Sequence, residues 1–571
     1  MKNKHSSKSF LNYFSHYCLY GLIVVFSSLV FALEHPNFIF KEGLGFLAWF
    51  SYIPVLFLIK KCRLKFVWLA GGLYGFLSYA FLGYWLGKFS GPGYAAVVAG
   101  YFFVLAFVFT VLKCTEILFP KNHWILQWLI VCAYEFLRTL GFAGFNYGVT
   151  GYALWKQTSL IQICDITGIY GFTAFVIFPS FFIFDFVHKT LEKRALLINF
   201  DGSDELFEAN THIKSITQAE QKIQFCSRVG SAVAAIIWTA CFVFVLIYGG
   251  YSKKNTSDCK TVKVLAVQTN DDPWKSGVNA YAENLINITK LTDSALEINP
   301  DIQLVVWPET AIVPSIVYRY ETKKDERRYK IVSYLLDYIN EKSADFVVGN
   351  GHTVVSANGA KKDDYNSALL FKPGQNVIPP DPQIYSKIKL VPFSETFPYE
   401  KQFPWLYKFL IERGNHMWTP GKNYTVFESS GLKFSTPVCY EDTFEKSCRM
   451  MYKNGARCFV NLSNDAWCHD LVCQNQHLAM AVFRSVENRV PSVRSTASGQ
   501  TCIISLNGEI LAMAEPFTAT YVIGELPVLP EDRAETLCCK FGSSWGLLFV
   551  ILACGLLLSK IIIVIIKKIR N

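Results

Sequence analysis

The chain has 571 residues, of which 51% are hydrophobic and 16% aromatic, too apolar a composition for an ordinary soluble protein. Its formal net charge is +10. That excess needs no nucleic-acid partner, because much of it sits in short loops between apolar segments.

The apolar residues crowd into 11–250 and 541–566, leaving roughly 260–530 with soluble composition. A bilayer core about 30 Å thick needs roughly 20 mostly apolar residues per helix. By that measure seven spans are expected near 13–33, 43–59, 66–86, 94–112, 123–141, 166–187 and 230–250. An eighth is expected near 543–566, with Lys560 close enough to one end to snorkel. The first span follows Lys2, Lys4 and Lys8 without a small-residue cleavage site, so it reads as an uncleaved signal anchor.

Charge sets the expected orientation. Segments 1–10, 60–65, 113–122, 189–228 and the tail after 566 carry 18 Lys and Arg together, whereas loops 34–42, 86–93 and 142–160 carry 3. The positive-inside rule then puts the first set in the cytoplasm and delivers residue 251 to the outer face. The expected organisation is a seven-span membrane domain over 1–257, an extracytoplasmic catalytic domain over 258–530, and a closing span with a basic cytoplasmic tail over 531–571. Loop 189–228, with six acidic and six basic residues, reads as a solvated cytoplasmic excursion. Of the 17 cysteines, nine fall between 259 and 539. An outer compartment permits disulfides among them, and an odd number leaves one thiol over.

After the polar linker 251–260, β-branched runs alternate with helical patterns. Strands are expected at 262–268, 302–306, 345–349, 366–372, 434–439, 457–462 and 501–505, and helices at 276–297, 322–342, 443–454 and 473–489. Such alternation indicates a layered α/β domain.

Three polar residues stand at or just beyond strand ends: Glu309 in LVVWPETAIVP, Lys387 in IYSKIKLVPFSETFP, and Cys439 in FSTPVCYED. Strand ends in α/β domains open onto the crevice where ligands bind. A cysteine can be a nucleophile, a glutamate its general base, and a lysine the positive charge for a developing oxyanion, beside a backbone N–H such as that of Tyr440. Taken singly each is more often structural; the three in this order point to covalent acyl transfer.

With those residues in view, the soluble block resembles the nitrilase, or carbon–nitrogen hydrolase, superfamily. The whole chain is similar to the apolipoprotein N-acyltransferase family. The likeness rests on VVWPETAIVP, YNSALLF at 365–371, YSKIKLVPFSETFP, VCYED, NLSNDAW at 461–467 and RSVENRVPSVRSTASGQT at 484–501. It implies a polytopic helical domain of about eight spans plus an α-β-β-α sandwich. It also implies the bacterial inner membrane, with the catalytic domain periplasmic.

The resemblance implies Glu309 as base, Lys387 as oxyanion stabiliser, Cys439 as acylated nucleophile and Glu395 as a second carboxylate. Tyr440 and Glu441 match the two positions after the nucleophile, and Trp467 and Trp274 match aromatics near the pocket mouth. The partners implied are a phospholipid acyl donor and a diacylated apolipoprotein acceptor, with no cofactor and no metal. Lys389 and Ser394 depart from the family's usual His and Gly. Cys468 stands where an aromatic is common.

Cys468, His469, Cys473 and His477 lie close together without a familiar zinc spacing, so packing or a local disulfide is the expected reading. Glu135 and Arg138 form an intrahelical pair within a span, and the loops near 89–93 and 142–151 are candidates to line a lipid path. Two other readings share these residues. A membrane-tethered amidase would use the same triad on a small C–N substrate, and an inactive transporter or scaffold would predict a damaged one.

Overall fold

The computed structural model describes residues 3–120, 122–200, 232–273, 277–356 and 362–570, so most of loop 189–228 lies outside the described residues. Among the described residues, six helical stretches are long and apolar enough to cross a membrane: Tyr17–Glu34, Leu64–Leu82, Gly91–Leu118, Cys164–Leu191, Ala232–Tyr251 and Ser544–Arg570. Here α1 is Asn3–Glu34, α2 Tyr52–Lys61, α3 Leu64–Leu82, α4 Gly91–Leu118, α5 His123–Leu137, α6 Cys164–Phe200 and α7 Ala232–Tyr251. Their outward faces carry large exposed apolar side chains, such as Phe103, Phe107 and Ile236, as lipid contact requires. Helices α3 and α4 touch backbone to backbone: a Cβ at Gly75 would sit 2.3 Å from the Tyr101 carbonyl oxygen. Small residues permit such contact where no hydrophobic effect drives helices together.

Two expected spans are shorter than predicted. The segment expected at 43–59 is a 3₁₀ turn, Gly45–Trp49, followed by α2 of 10 residues, about 15 Å of helix. Gly45 abuts the Ala153 carbonyl at one end, and Lys113 donates to the Ile59 and Lys60 carbonyls at the other. The segment expected at 123–141 becomes α5, 15 residues, because the chain leaves the helix at Arg138 to form a loop that the other half uses. Lys60, Lys113, His123 and Lys189 gather at one end of the bundle, away from the soluble half.

The soluble half is a sandwich of two sheets. The first has the order β12 (Thr520–Pro527), β1 (Thr261–Gln268), β2 (Leu304–Val306), β3 (Asp345–Val355), β4 (Lys362–Phe371) and β5 (Gln383–Ser386). The second has the order β11 (Ile510–Met513), β10 (Cys502–Ile504), β9 (Ser492–Thr496) and β8 (Phe459–Ser463). Strands β6 (Phe427–Ser429) and β7 (Leu432–Phe434) form a hairpin beside them.

Alternation along the strands decides the layers. Val262, Val264 and Ala266 face the second sheet, in one core with Val460, Leu462 and Val493. Leu265 and Val267 face the other way, onto α8 (Val278–Ile298) and α9 (Glu326–Asn340). The Ser495 hydroxyl crosses between the sheets to the Val267 and Val306 carbonyls. The expected strand at 434–439 is a correction: β7 stops at Phe434, and beyond it only single bridges Ser435–Phe459 and Val438–Leu462 persist. Pro437 lacks the N–H that a continuous ladder needs.

The outer face of the second sheet is covered by α10 (Leu471–Asn488), in which every residue from Val472 to Asn488 is buried. One side of α10 meets its own sheet and the other meets the membrane half. Gln476 donates to the Pro36 and Leu82 carbonyls and accepts from the Trp85 indole. Asn475 donates to the Lys41 carbonyl, and Glu487 accepts from the Ile169 N–H. Just past the helix, Arg489 holds Asp165 at 2.7 Å. Removing one partner of a buried pair strands the other charge. Arg489→Met should therefore destabilise the detergent-solubilised protein by about 3 kcal/mol, checked as a fall in Tm.

Candidate active site at the junction of the two halves

Each candidate residue reaches the site by a local rule. Glu309 follows β2, where the Trp307 N–H still bonds the Val347 carbonyl before Pro308 ends the ladder. The next strand must leave room: a Cβ at Gly349 would lie 2.2 Å from the Pro308 oxygen. Lys387 follows β5, and its N–H donates to the Asn366 carbonyl, one step past the last ladder pair. Cys439 opens the 3₁₀ turn Cys439–Thr443. Its φ of +51° is a left-handed conformation that non-glycine residues rarely adopt, and such strain clusters at functional sites. The Asn461 amide clamps the approach by donating to the Pro437 and Cys439 carbonyls.

The three side chains converge. Lys387, 1% exposed, sits 2.9 Å from Glu395 Oε1 and 3.4 Å from Glu309 Oε1. The Asn366 amide donates to Glu309 Oε1 at 2.7 Å, and the Asn464 N–H donates to Glu309 Oε2 at 2.8 Å. The Cys439 thiol lies beside Glu309 and Ser463. Glu395 is fixed by the Val391 N–H at 2.8 Å. In its turn the positive φ falls on Phe393, +66°, so Ser394 fits without glycine's freedom.

Electrostatics assign what each group can do. Burial pushes the Glu309 carboxyl up; Lys387 opposes this and Glu395 adds to it. Burial alone would lower Lys387, but Glu395 and Glu309 outweigh it and hold the ammonium charged. Burial, then Glu309, pushes the Cys439 thiol well above its ordinary value, with Lys387 opposing. The resting thiol is therefore neutral, and to act as a nucleophile it would need a base beside it. Glu309 is the group in contact.

Glu441 does not face this cluster. Buried completely, it accepts from the Ile388, Lys389 and Val438 N–H groups and from the Tyr385 hydroxyl. It thus ties the Lys387 segment to the Cys439 turn. Tyr440 donates to the Gly144 carbonyl at 2.8 Å, and Trp467 lies against Phe89 with ring centres 4.5 Å apart. Trp274 lies outside the described residues.

The membrane half forms one wall of the site. Asn146 donates to the Thr443 hydroxyl, and Lys389, at the departure from the family's histidine, donates to the Gly141 carbonyl. Arg138 holds that loop through the Phe145 and Tyr147 carbonyls while paired with Glu135 at 2.9 Å. The Glu135–Arg138 pair is thus a support for the loop. Sequence reasoning missed Asn366, whose signal was its place in YNSALLF. It missed the Asn464 amide too, which leaves no mark in residue type.

The four-residue cluster Cys468, His469, Cys473 and His477 does not meet at a point. His469 stacks on Phe517, Cys473 touches Cys468, and His477 turns to Asp442. No cysteine among the described residues is in a disulfide.

Comparison with known proteins agrees with this division. Residues 265–529 match the carbon–nitrogen hydrolase family model, and 27–182 match the apolipoprotein N-acyltransferase N-terminal domain. The chain is 35% identical to apolipoprotein N-acyltransferase 1 of Treponema denticola over 98% of its own length and 99% of the relative's. It is 35% identical to the Treponema pallidum protein of that name over 92% of each. To the apolipoprotein N-acyltransferase of Borreliella burgdorferi it is 25% identical, again over 92% of each.

Glu441→Ala would orphan three N–H groups and a hydroxyl, each costing about 1 kcal/mol or more. The expected outcome is a loss of about 4 kcal/mol in stability and slower alkylation of Cys439, read by calorimetry and peptide mass spectrometry.

Proposed function

Since the chain belongs to the apolipoprotein N-acyltransferase family, and is thus a membrane-embedded acyltransferase of lipoprotein maturation, we propose that it works through a Cys439 thioester with a membrane phospholipid as donor. Glu309 takes the thiol proton as Cys439 Sγ attacks the ester carbonyl. Lys387 and the N–H groups following the nucleophile meet the oxyanion. The C–O bond breaks, Glu309 returns the proton to the leaving alkoxide, and a lysophospholipid departs. The α-amino group of a diacylglyceryl-cysteine apolipoprotein then attacks the thioester, its proton passing to Glu309. The C–S bond breaks, Glu309 returns that proton to the departing Cys439 thiolate, and an amide remains. Glu395 holds Lys387, and Glu441 and Tyr440 hold the turn.

The observation that carries this reading is the wall that loop 139–147 builds, through Gly144 and Asn146 against the Cys439 turn and through Gly141 against Lys389. A small soluble amide would need no such wall, whereas a lipid ester enters from the bilayer side. A water-poor site also favours the amine over hydrolysis. On the positive-inside argument the soluble half, residues 258–530, lies on the periplasmic side of the bacterial inner membrane.

Incubation with phospholipid followed by intact-protein mass spectrometry should reveal a fatty-acyl adduct on Cys439, absent from Cys439→Ala. Turnover of a soluble amide with no adduct would favour an amidase instead.

The pH dependence has a definite sign. A base must be deprotonated, and burial with Glu395 raises the Glu309 carboxyl against Lys387. Adduct formation should fall with acidification at a pH above the ~4.3 of an ordinary glutamate. Glu309→Gln should lower the rate by roughly 10²–10⁴-fold and remove that limb.

A further inference from the structure

His477 belonged to the Cys468–His477 cluster that suggested a metal, and the mechanism above does not use it. It is buried, 3% exposed, on the face of α10 turned to its own sheet. Its Nε2 lies 2.6 Å from Asp442 Oδ1, and its Nδ1 lies 3.7 Å from Asp465 Oδ1. Asp442 sits three residues after Cys439 on the same 3₁₀ turn, and Arg494 of β9 pairs with its other oxygen. Asp465 accepts from the Ser463 hydroxyl at 3.2 Å, and Ser463 in turn touches Cys439.

The set therefore holds two carboxylates and, with His477 protonated, two cations. Remove the charge on His477 and one buried carboxylate close behind the sulfur is left uncompensated. We propose that His477 is a positioning residue for Cys439: as an imidazolium it neutralises Asp465 and ties it to Asp442, so that the nucleophile's turn is held and its thiolate forms without an opposing bare carboxylate.

This rests on Cys439 being the nucleophile. The direction of the ionisations agrees. Burial would lower His477, but the Asp442 carboxylate outweighs it against Arg494, and the imidazole is pushed up to about 9. Burial would raise Asp465, yet His477 and Arg494 bring it below the usual range. Asp465 is one of the charges that push the Cys439 thiol up, after burial and Glu309. The charged or titratable groups around His477 are Asp442 on the turn, Asp465 after β8, Arg494 on β9, Cys473 one helical turn back on α10, and Tyr147 of the membrane half's loop.

The test is the rate of iodoacetamide alkylation at Cys439 in the full chain in detergent, followed by peptide mass spectrometry across pH. It needs no acyl donor, so it separates failure of this inference from failure of the phospholipid reading. His477→Gln should slow alkylation at pH 8 by about tenfold, on the order of one pK unit. Adding Asp465→Asn should restore the rate to within about threefold, because it removes the uncompensated charge. A folded His477→Gln chain that alkylates at the parent rate overturns the proposal, as does a double variant slower than the single one. Should the variants not fold, the unmodified chain decides. Its log rate should rise with pH and flatten near 9, where His477 loses its proton; an unbroken unit slope through that range overturns the proposal.

Discussion

One ammonium between two carboxylates is the constraint around which the soluble half is arranged. Lys387 lies in contact with Glu309 and Glu395, and none of the three has much access to water. Charges removed from water at this depth cost several kcal/mol each unless they are paired and hydrogen-bonded. Everything nearby supplies that compensation: the Asn366 amide, the Asn464 N–H and the Val391 N–H. The arrangement leaves the Cys439 thiol as the uncharged member. A neutral thiol beside a carboxylate with a raised pKa is the state in which proton transfer on attack is least uphill.

The same economy of charge extends to the surface where the two halves meet. Helix α10 carries Gln474, Gln476, His477, Arg484 and Glu487, residue types that normally face water, yet all are buried. Gln474, His477 and Arg484 are satisfied within the soluble half by Ser498, Asp442 and Thr443, and the others by the membrane half. Pro36, Leu82 and Ile169 offer backbone groups, and Asp165 answers Arg489 just beyond the helix. The apolar residues of α10, among them Leu478, Val482 and Phe483, share one core with Tyr152, Phe172 and Val176 of the membrane half, so the halves complete one another. Loop 139–147, held by Arg138, extends this dependence to the wall of the active site.

Buried charge also explains why one expected span is short and why the cysteine–histidine cluster does not gather at a point. The span expected at 123–141 is cut short because Arg138 is needed at the helix end, reaching the carbonyls of the loop beyond. In the cysteine–histidine cluster the two cysteines pack on each other, His469 stacks on Phe517, and His477 turns to a pair of carboxylates. Sequence proximity along the start of a helix does not determine which face each residue presents, and α10 turns its residues to two different cores.

Hydropathy and loop charge alone identified a multi-span membrane chain with one soluble block. Residue order alone singled out Glu309, Lys387 and Cys439, because their chemistry and place beyond apolar strands are local properties. Motif likeness extended this to Glu395 and Glu441, and the strand and helix periods located most of the sandwich. What periodicity could not decide is anything carried by backbone groups or by pairs far apart in the chain. The Asn464 N–H on Glu309, the left-handed turn at Cys439 and the Glu441 clamp on the Lys387 segment belong to that class. So does the seat of α10 against the membrane helices. These depend on which surfaces meet in three dimensions, and only the tertiary structure brings together residues some 300 positions apart, such as Gly144 and Tyr440.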